Sequence, residues 1–203
     1  MCHAQGANHV MASRLNLLFQ VSPRQFLEKT VLFTDGLAAP ESLALMRNRI
    51  AHHIDLQPRN ERVRAQVLSG LHLYADSPLT SYFVPPQGFA LIQKENPPQR
   101  FVFFPEFSGS RILISPSGTE CLRVGYESGL TGKLPAPEAR ADSPYTDSFS
   151  FWEHTTGHLV GKIRSTAILF KEPTQPWTVI MQQIVGTPGL EVVRSVFSRP
   201  LRY

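Results

Sequence analysis

The sequence predicts an α+β fold in which N-terminal helices pack on an antiparallel β-sheet or β-sandwich. Three observations point there. The first third carries helix signals. From Leu79 onward the chain breaks into short runs rich in β-branched and aromatic residues. Those runs are close in sequence, which favours hairpins and antiparallel pairing.

The helical signals come in order. Ser22-Pro23-Arg24-Gln25 fits a capping box with proline at the first helical position, and Val21 and Phe26 stand where a hydrophobic staple needs them. This helix is expected to stop near Asp35-Gly36. A second starts around Pro40, with Leu43, Met46, Ile50 and Ile54 at helical spacing, and a third follows Pro58, with Val63, Val67, Leu68 and Leu71 on one face. The strand runs are GFALIQ, RFVFFP, RILIS, CLRVGY, LVGKIRSTAILF, WTVIMQQIV and LEVVRSVF. Turns fall at Gln87-Gly88, Asn96-Pro97-Pro98, Ser115-Pro116-Ser117-Gly118 and Glu172 to Pro176. Residues 130–148 form the longest irregular connection. The chain therefore reads as a single domain over 1–203, with a disordered start over 1–20, a helical part over 21–75 and an antiparallel β part over 79–203.

Bulk properties narrow the function classes. The chain has 203 residues and is 42% hydrophobic, enough for one sizeable core. No apolar run approaches the about 20 residues of a membrane-spanning helix, and the N-terminus lacks a signal-peptide pattern. The expectation is a cytoplasmic protein of the producing cell, or one exported without a cleaved signal peptide. Two cysteines far apart, Cys2 and Cys121, argue against a structural disulfide. The net charge is +4, but the basic residues are scattered. The mild cluster Arg47, Arg49, Arg59, Arg62 and Arg64 has no interleaved aromatics, which disfavours nucleic acid as a partner. The expected partner is a protein, as substrate or as binding partner.

The stretch Phe107 to Gly129 reads as two strands joined by a tight turn. A type I turn over Ser115-Pro116-Ser117-Gly118, with Gly118 in the left-handed conformation, pairs Ser115 with Thr119 and sets Ser110 opposite Val124. One face then carries Ser110, Ile112, Ile114, Leu122, Val124 and Tyr126, and should be core. The other carries Arg111, Leu113, Cys121 and Arg123.

Ser108-Gly109, with Ser110 opening a strand and Gly118 at the following turn, resembles the glutamine-deamidase toxins of the cytotoxic necrotizing factor and Burkholderia lethal factor type. The run Phe103-Phe104 and the late strand Trp177 to Gln183 are similar as well. The resemblance implies a β-sandwich with flanking helices in a secreted effector or toxin. In that family a cysteine attacks a glutamine side-chain amide of a target protein, and a histidine on the returning strand is base and acid. Here Ser110 stands at the cysteine position, and Gly125 or Tyr126 fills the histidine slot. A serine without a base is a poor nucleophile, so the chain is expected to be an inactive deamidase-like hydrolase. Three readings stay open. Ser110 replaces a natural cysteine, with His154 or His158 as base; the chain is a non-catalytic relative; or Ser-Gly-Ser is ordinary turn chemistry. The alternative function is a non-catalytic α+β module that holds a protein partner by a sheet edge or by its arginine-rich helices.

The remaining candidates have plainer readings. His154 and His158 are four apart, but Gly157 and two threonines between them argue against the one-helix face a zinc-protease motif needs. Either could meet the other across a turn; an exposed loop explains them as well. Cys121 with His154 or His158 and Asp142 or Asp147 could form a thiol triad, or be a structural thiol. Arg111 and Arg123 on the Cys121 face could lower a thiol pKa, or be solvated strand charges. His52-His53 reads as surface. No phosphate loop, dinucleotide fingerprint, CxxC pair or calcium loop is present, and no cofactor or metal is expected.

Overall fold

A computed structural model describes residues 14–38, 52–59, 62–67, 78–107, 109–127, 144–150 and 163–203. Two short helices come first, α1 (residues 14–21) and α2 (Pro23–Lys29), then β1 (Leu32–Phe33) and a 3-10 turn over Asp35–Ala38. The strands that follow are β2 (His52–Arg59), β3 (Arg62–Val67), β4 (Leu79–Phe83), β5 (Phe89–Gln93), β6 (Phe101–Phe103), β7 (Arg111–Ser117), β8 (Cys121–Glu127), β9 (Asp147–Ser150), β10 (Arg164–Phe170), β11 (Thr178–Val185) and β12 (Val192–Pro200).

The strands form two sheets. An 8-stranded sheet runs β1-β3-β2-β4-β6-β10-β11-β12, and a 4-stranded sheet runs β5-β8-β7-β9. The large sheet is mixed rather than purely antiparallel, because β1 pairs with β3 and β4 with β6 in parallel. One core lies between the sheets. Tyr82, Val102, Leu169, Trp177 and Met181 of the large sheet and its flanks meet Ile112, Ile114, Leu122, Val124 and Tyr126 of the small one. A second core lies on the other side of the large sheet, where Phe19 and Leu27 of the helices cover Ile54, Phe103, Ile168 and Ile180. Residues of β10 alternate between them: Ala167 and Leu169 face the first, Ile168 and Phe170 the second. Burial on both faces explains why Ala167 to Phe170 of β10 and Val179 to Met181 of β11 read as unbroken apolar runs.

Much of the expected helical part is sheet. Residues 52–59 and 62–67 form an antiparallel hairpin in which Ile54 pairs with Val67 and Pro58 with Val63. A spacing of four is a multiple of two, so Val63 and Val67 share a strand face as readily as a helical one. The deciding pattern was the alternation Ile54/Leu56 and Val63/Ala65, all buried. The body of the expected second helix and the end of the third, Leu68 and Leu71, lie outside the described residues, as do residues 1–13. Residues 14–20, expected to be disordered, belong to α1.

The first helix is also built differently. Proline does open α2, but Ser22 makes no side-chain cap bond, and the helix ends at Lys29 rather than near Asp35-Gly36. The staple is absent because Val21 ends α1 and is 83% exposed. Phe26 instead meets Phe19 edge to face at 5.3 Å. The helices and β1 are tied to the sheet by Gln182, which is fully buried on β11. Its Oε1 accepts from the Leu32 N–H at 2.9 Å, and its Nε2 donates to the Leu27 and Thr30 carbonyls. Thr166 Oγ1 adds a bond to the Leu32 carbonyl. On the opposite flank, buried Asn16 donates to Asp55 and accepts from the Leu56 N–H, fixing α1 to β2.

Two losses of stability follow. Ile112→Ala should cost about 2–5 kcal/mol because Ile112 is fully buried between the sheets. Gln182→Leu should cost at least about 3 kcal/mol, since it strands an amide and two carbonyls without water. Urea midpoints with unchanged slopes read both, and a wild-type midpoint for either variant contradicts the packing described.

Candidate functional site

Ser110 enters β7 from a bend whose Gly109 has φ +61, a left-handed conformation that glycine adopts without strain. The hairpin register places Ile112 opposite Tyr126, Ser115 opposite Arg123 and Ser117 opposite Cys121. The expected turn is thus displaced: Pro116 belongs to β7, and residues 118–120 turn the chain with Gly118 at φ +70. Ser115 now meets Arg123 instead of Thr119, an even displacement, so every side chain keeps its predicted face. Ile112, Ile114, Leu122, Val124 and Tyr126 are buried together.

Ser110 is fully buried. Its Oγ lies 2.9 Å from the Tyr126 Oη, which lies 2.6 Å from the Glu106 carbonyl oxygen. A phenol has one proton and a carbonyl can only accept. The Tyr126 proton therefore goes to Glu106, and Ser110 donates to the phenol oxygen. Phe104 and Phe107 pack around the Tyr126 ring at 5.5 and 6.2 Å. Burial, partly offset by the Ser110 bond, pushes the phenol up to about 12. Tyr126 thus cannot accept a proton from Ser110 at neutral pH. The Tyr126 phenol thus ties the Glu106 backbone and Ser110 to β8.

The two histidines expected as base, His154 and His158, lie outside the described residues. The strands that lead to and from them do approach Ser110. Ser150, at the end of β9, pairs with Arg111, and Arg164, at the start of β10, holds the Glu106 carboxylate at 3.1 Å.

Of the thiol-triad candidates, the described pair Cys121 and Asp147 lies on opposite faces of the small sheet. Asp147 sits opposite Ile114 on the inner face, where Arg199 grips its carboxylate at 2.7 and 2.9 Å and the Arg202 N–H adds a bond at 2.8 Å. This clamp joins β9 to β12, and so the small sheet to the large one. Cys121 is half-buried on the other face of the small sheet. Arg111 is at the far end of the hairpin from it and pairs with Glu127 at 2.6 Å. Arg123 lies over the Phe89 ring at 4.0 Å. Asp142 lies outside the described residues. Among the described residues, no group of three or more acidic, histidine or cysteine side chains is placed to hold a metal, and no helix is long and apolar enough to cross a membrane.

Two surface features were not anticipated. Arg62 and Arg64 of β3 meet Arg164 across a cleft of about 250 Å³ that Phe33, Asp35 and Glu191 also line. Arg62 pairs with Glu191 at 2.7 Å, Arg64 with Asp35 at 3.2 Å, and Arg164 with Glu106. The charges are matched inside the protein, so the cleft is a network of joints. No sequence signal finds it, because each pair spans distant segments. The second feature is β5, an edge of the small sheet. Its side chains alternate strictly: Ile92 is buried, whereas Phe89 and Leu91 are 51% and 49% exposed.

Tyr126→Phe should destabilise the protein by about 1–3 kcal/mol by removing the buried phenol's bonds to the Glu106 carbonyl and Ser110. The wild type should also be alkali-sensitive. The folded phenol titrates at about 12 against 10.0 for an ordinary tyrosine, so the unfolded chain loses its proton first. The stabilisation is intact below pH 10 and falls by about 3 kcal/mol as pH rises toward 12. Denaturation from pH 8 to 12 checks this: Tyr126→Phe should show a shallower alkaline loss, and parallel profiles contradict it.

No protein-family model matches the chain, and no match is found among curated proteins.

Proposed function

We propose that the chain is a non-catalytic α+β module that binds protein through a sheet edge, with its N-terminal helices backing the sheet. The observation that carries this reading is β5. Sheet edges in natural proteins are guarded by charge, proline, bulges or covering segments. Residues Phe89–Gln93 contain no charge and no proline, and their register with β8 is unbroken. The other edges are guarded. β12 carries Arg194, Arg199 and Pro200 and has an irregular register at Gln183/Ile184. Along β9, Arg199 takes the Ser148 carbonyl, and β1 is only two residues long. Among the described residues β5 has no strand beyond it, and an apolar edge of this kind is the surface that strand addition uses. Ser110 supports the non-catalytic part, being fully buried and 2.9 Å from the Tyr126 phenol.

The second reading is the deamidase-like effector that acts on a glutamine of a target protein, with Ser110 at the nucleophile position and His154 or His158 as base. What favours it is that Ser150 and Arg164, the strand residues on either side of the two histidines in sequence, meet Arg111 and Glu106, which flank Ser110.

Ser110→Cys separates the two. Iodoacetamide labelling from pH 5 to 9 with peptide mapping, using Cys121 as internal control, reads the thiol at position 110. The binding-module reading predicts a native-state thiol that labels more slowly than Cys121 at every pH. A thiol that reacts faster than Cys121 below pH 7, with a pKa depressed from about 8.5, overturns it and favours the enzyme.

A further inference from the structure

We infer that the partner at the β5 edge is a second copy of this chain, paired antiparallel across a two-fold axis at Leu91; the inference rests on the binding-module reading above. The hydrogen bonds to β8 decide which groups are open. The Tyr126 N–H donates to the Gly88 carbonyl and the Lys94 N–H to the Glu120 carbonyl, so even-numbered residues of the strand bond inward. Phe89, Leu91 and Gln93 direct their amides and carbonyls away from β8. The Gln93 carbonyl accepts from the Trp177 indole at 2.8 Å. Among the described residues, β5 has no strand neighbour beyond β8.

This edge is complementary to itself. With the axis at Leu91, Leu91 exchanges both backbone hydrogen bonds with the partner's Leu91, and Phe89 pairs with the partner's Gln93. The Gln93 carbonyl has a second lone pair for the seam. Ala90 meets the partner's Ile92, and Lys94 meets the partner's Gly88, so no two like charges face each other directly. The nearest cation on the exposed face is Arg123, opposite Leu91 on β8. Its symmetry mate is three strand spacings away, about 14 Å, which exceeds the Debye length of about 8 Å at physiological salt. The chain's net charge of +4 thus opposes pairing only weakly. An isologous contact also closes on itself, leaving no further β5 edge for growth into a fibre. The two small sheets become one continuous antiparallel sheet, with Leu91 packed beside its mate and Phe89 beside the partner's Gln93. The contact is short and below the area of standard interfaces, so its dissociation constant should be about 1 μM or weaker.

Sedimentation velocity of the full chain over rising concentration tests this. The expected result is a reversible monomer–dimer equilibrium that Leu91→Lys, which sets two cations face to face, shifts at least tenfold toward monomer. Val192→Lys, on the exposed part of β12, should leave it unchanged. Hydrogen exchange at the Leu91 amide provides a readout free of any folding defect in a variant: in the wild type it should slow as concentration rises. A chain that stays monomeric, a dimer lost with Val192→Lys but not with Leu91→Lys, or a Leu91 amide indifferent to concentration overturns the inference. The labelling of Ser110→Cys does not depend on oligomeric state, so failure of the non-catalytic reading would be recognised separately.

Discussion

Strands β10 and β11 are covered on both faces, and the rest of the molecule is arranged around that constraint. A strand with water on neither side must be apolar on both faces, and each polar group it carries must be satisfied in place. Ile168 and Ile180 draw the helices onto one side, while Leu169, Val179 and Met181 draw the small sheet onto the other. Two buried glutamines on β11 are the polar exceptions: Gln182 spends both amide protons and its oxygen on the α2–β1 connection, and Gln183 accepts from Ser195. Lys171, just past β10, is likewise buried and is held by Glu95 and the Gln175 carbonyl. One partner is exposed, so the pair fixes the 172–176 turn more than it stabilises the fold.

The same closure governs the chemistry. Ser110 stands where the bend after β6 meets the small sheet. Its hydroxyl is buried and must find a partner; Tyr126 supplies one, and the Glu106 carbonyl satisfies Tyr126 in turn. The side chain of Glu106 is held by Arg164 at the mouth of the arginine cleft. A single residue thus links the interior joint, through its carbonyl, to the surface charge network, through its carboxylate. Such an arrangement ties the bend to β8 on the inside and to β10 at the surface.

The strand half of the molecule was legible because its signals are local. Runs such as Ile112 to Ile114 and Val179 to Ile184 are β-branched and bounded by turn residues, and the core face of the hairpin followed from alternation alone. Even the misplaced turn did no damage to the face assignment, since an even displacement preserves it. The first third misled for a physical reason. Valines four apart satisfy both periods, and an N-terminal Ser-Pro signal describes a helix start without saying how soon the helix ends. The candidate site divides the same way. That Ser110 and Tyr126 share the buried face could be read from alternation. The Asp147–Arg199 clamp and the three-arginine cleft could not, because their partners meet only after the two sheets have formed.

The most direct measurement of the central claim is neutron diffraction from crystals of the deuterated protein, which locates hydroxyl deuterons. The structure predicts the Ser110 deuteron directed at the Tyr126 oxygen, and the Tyr126 deuteron at the Glu106 carbonyl. A Ser110 hydroxyl directed instead at a nitrogen of His154 or His158 would contradict the account and make position 110 a nucleophile's place.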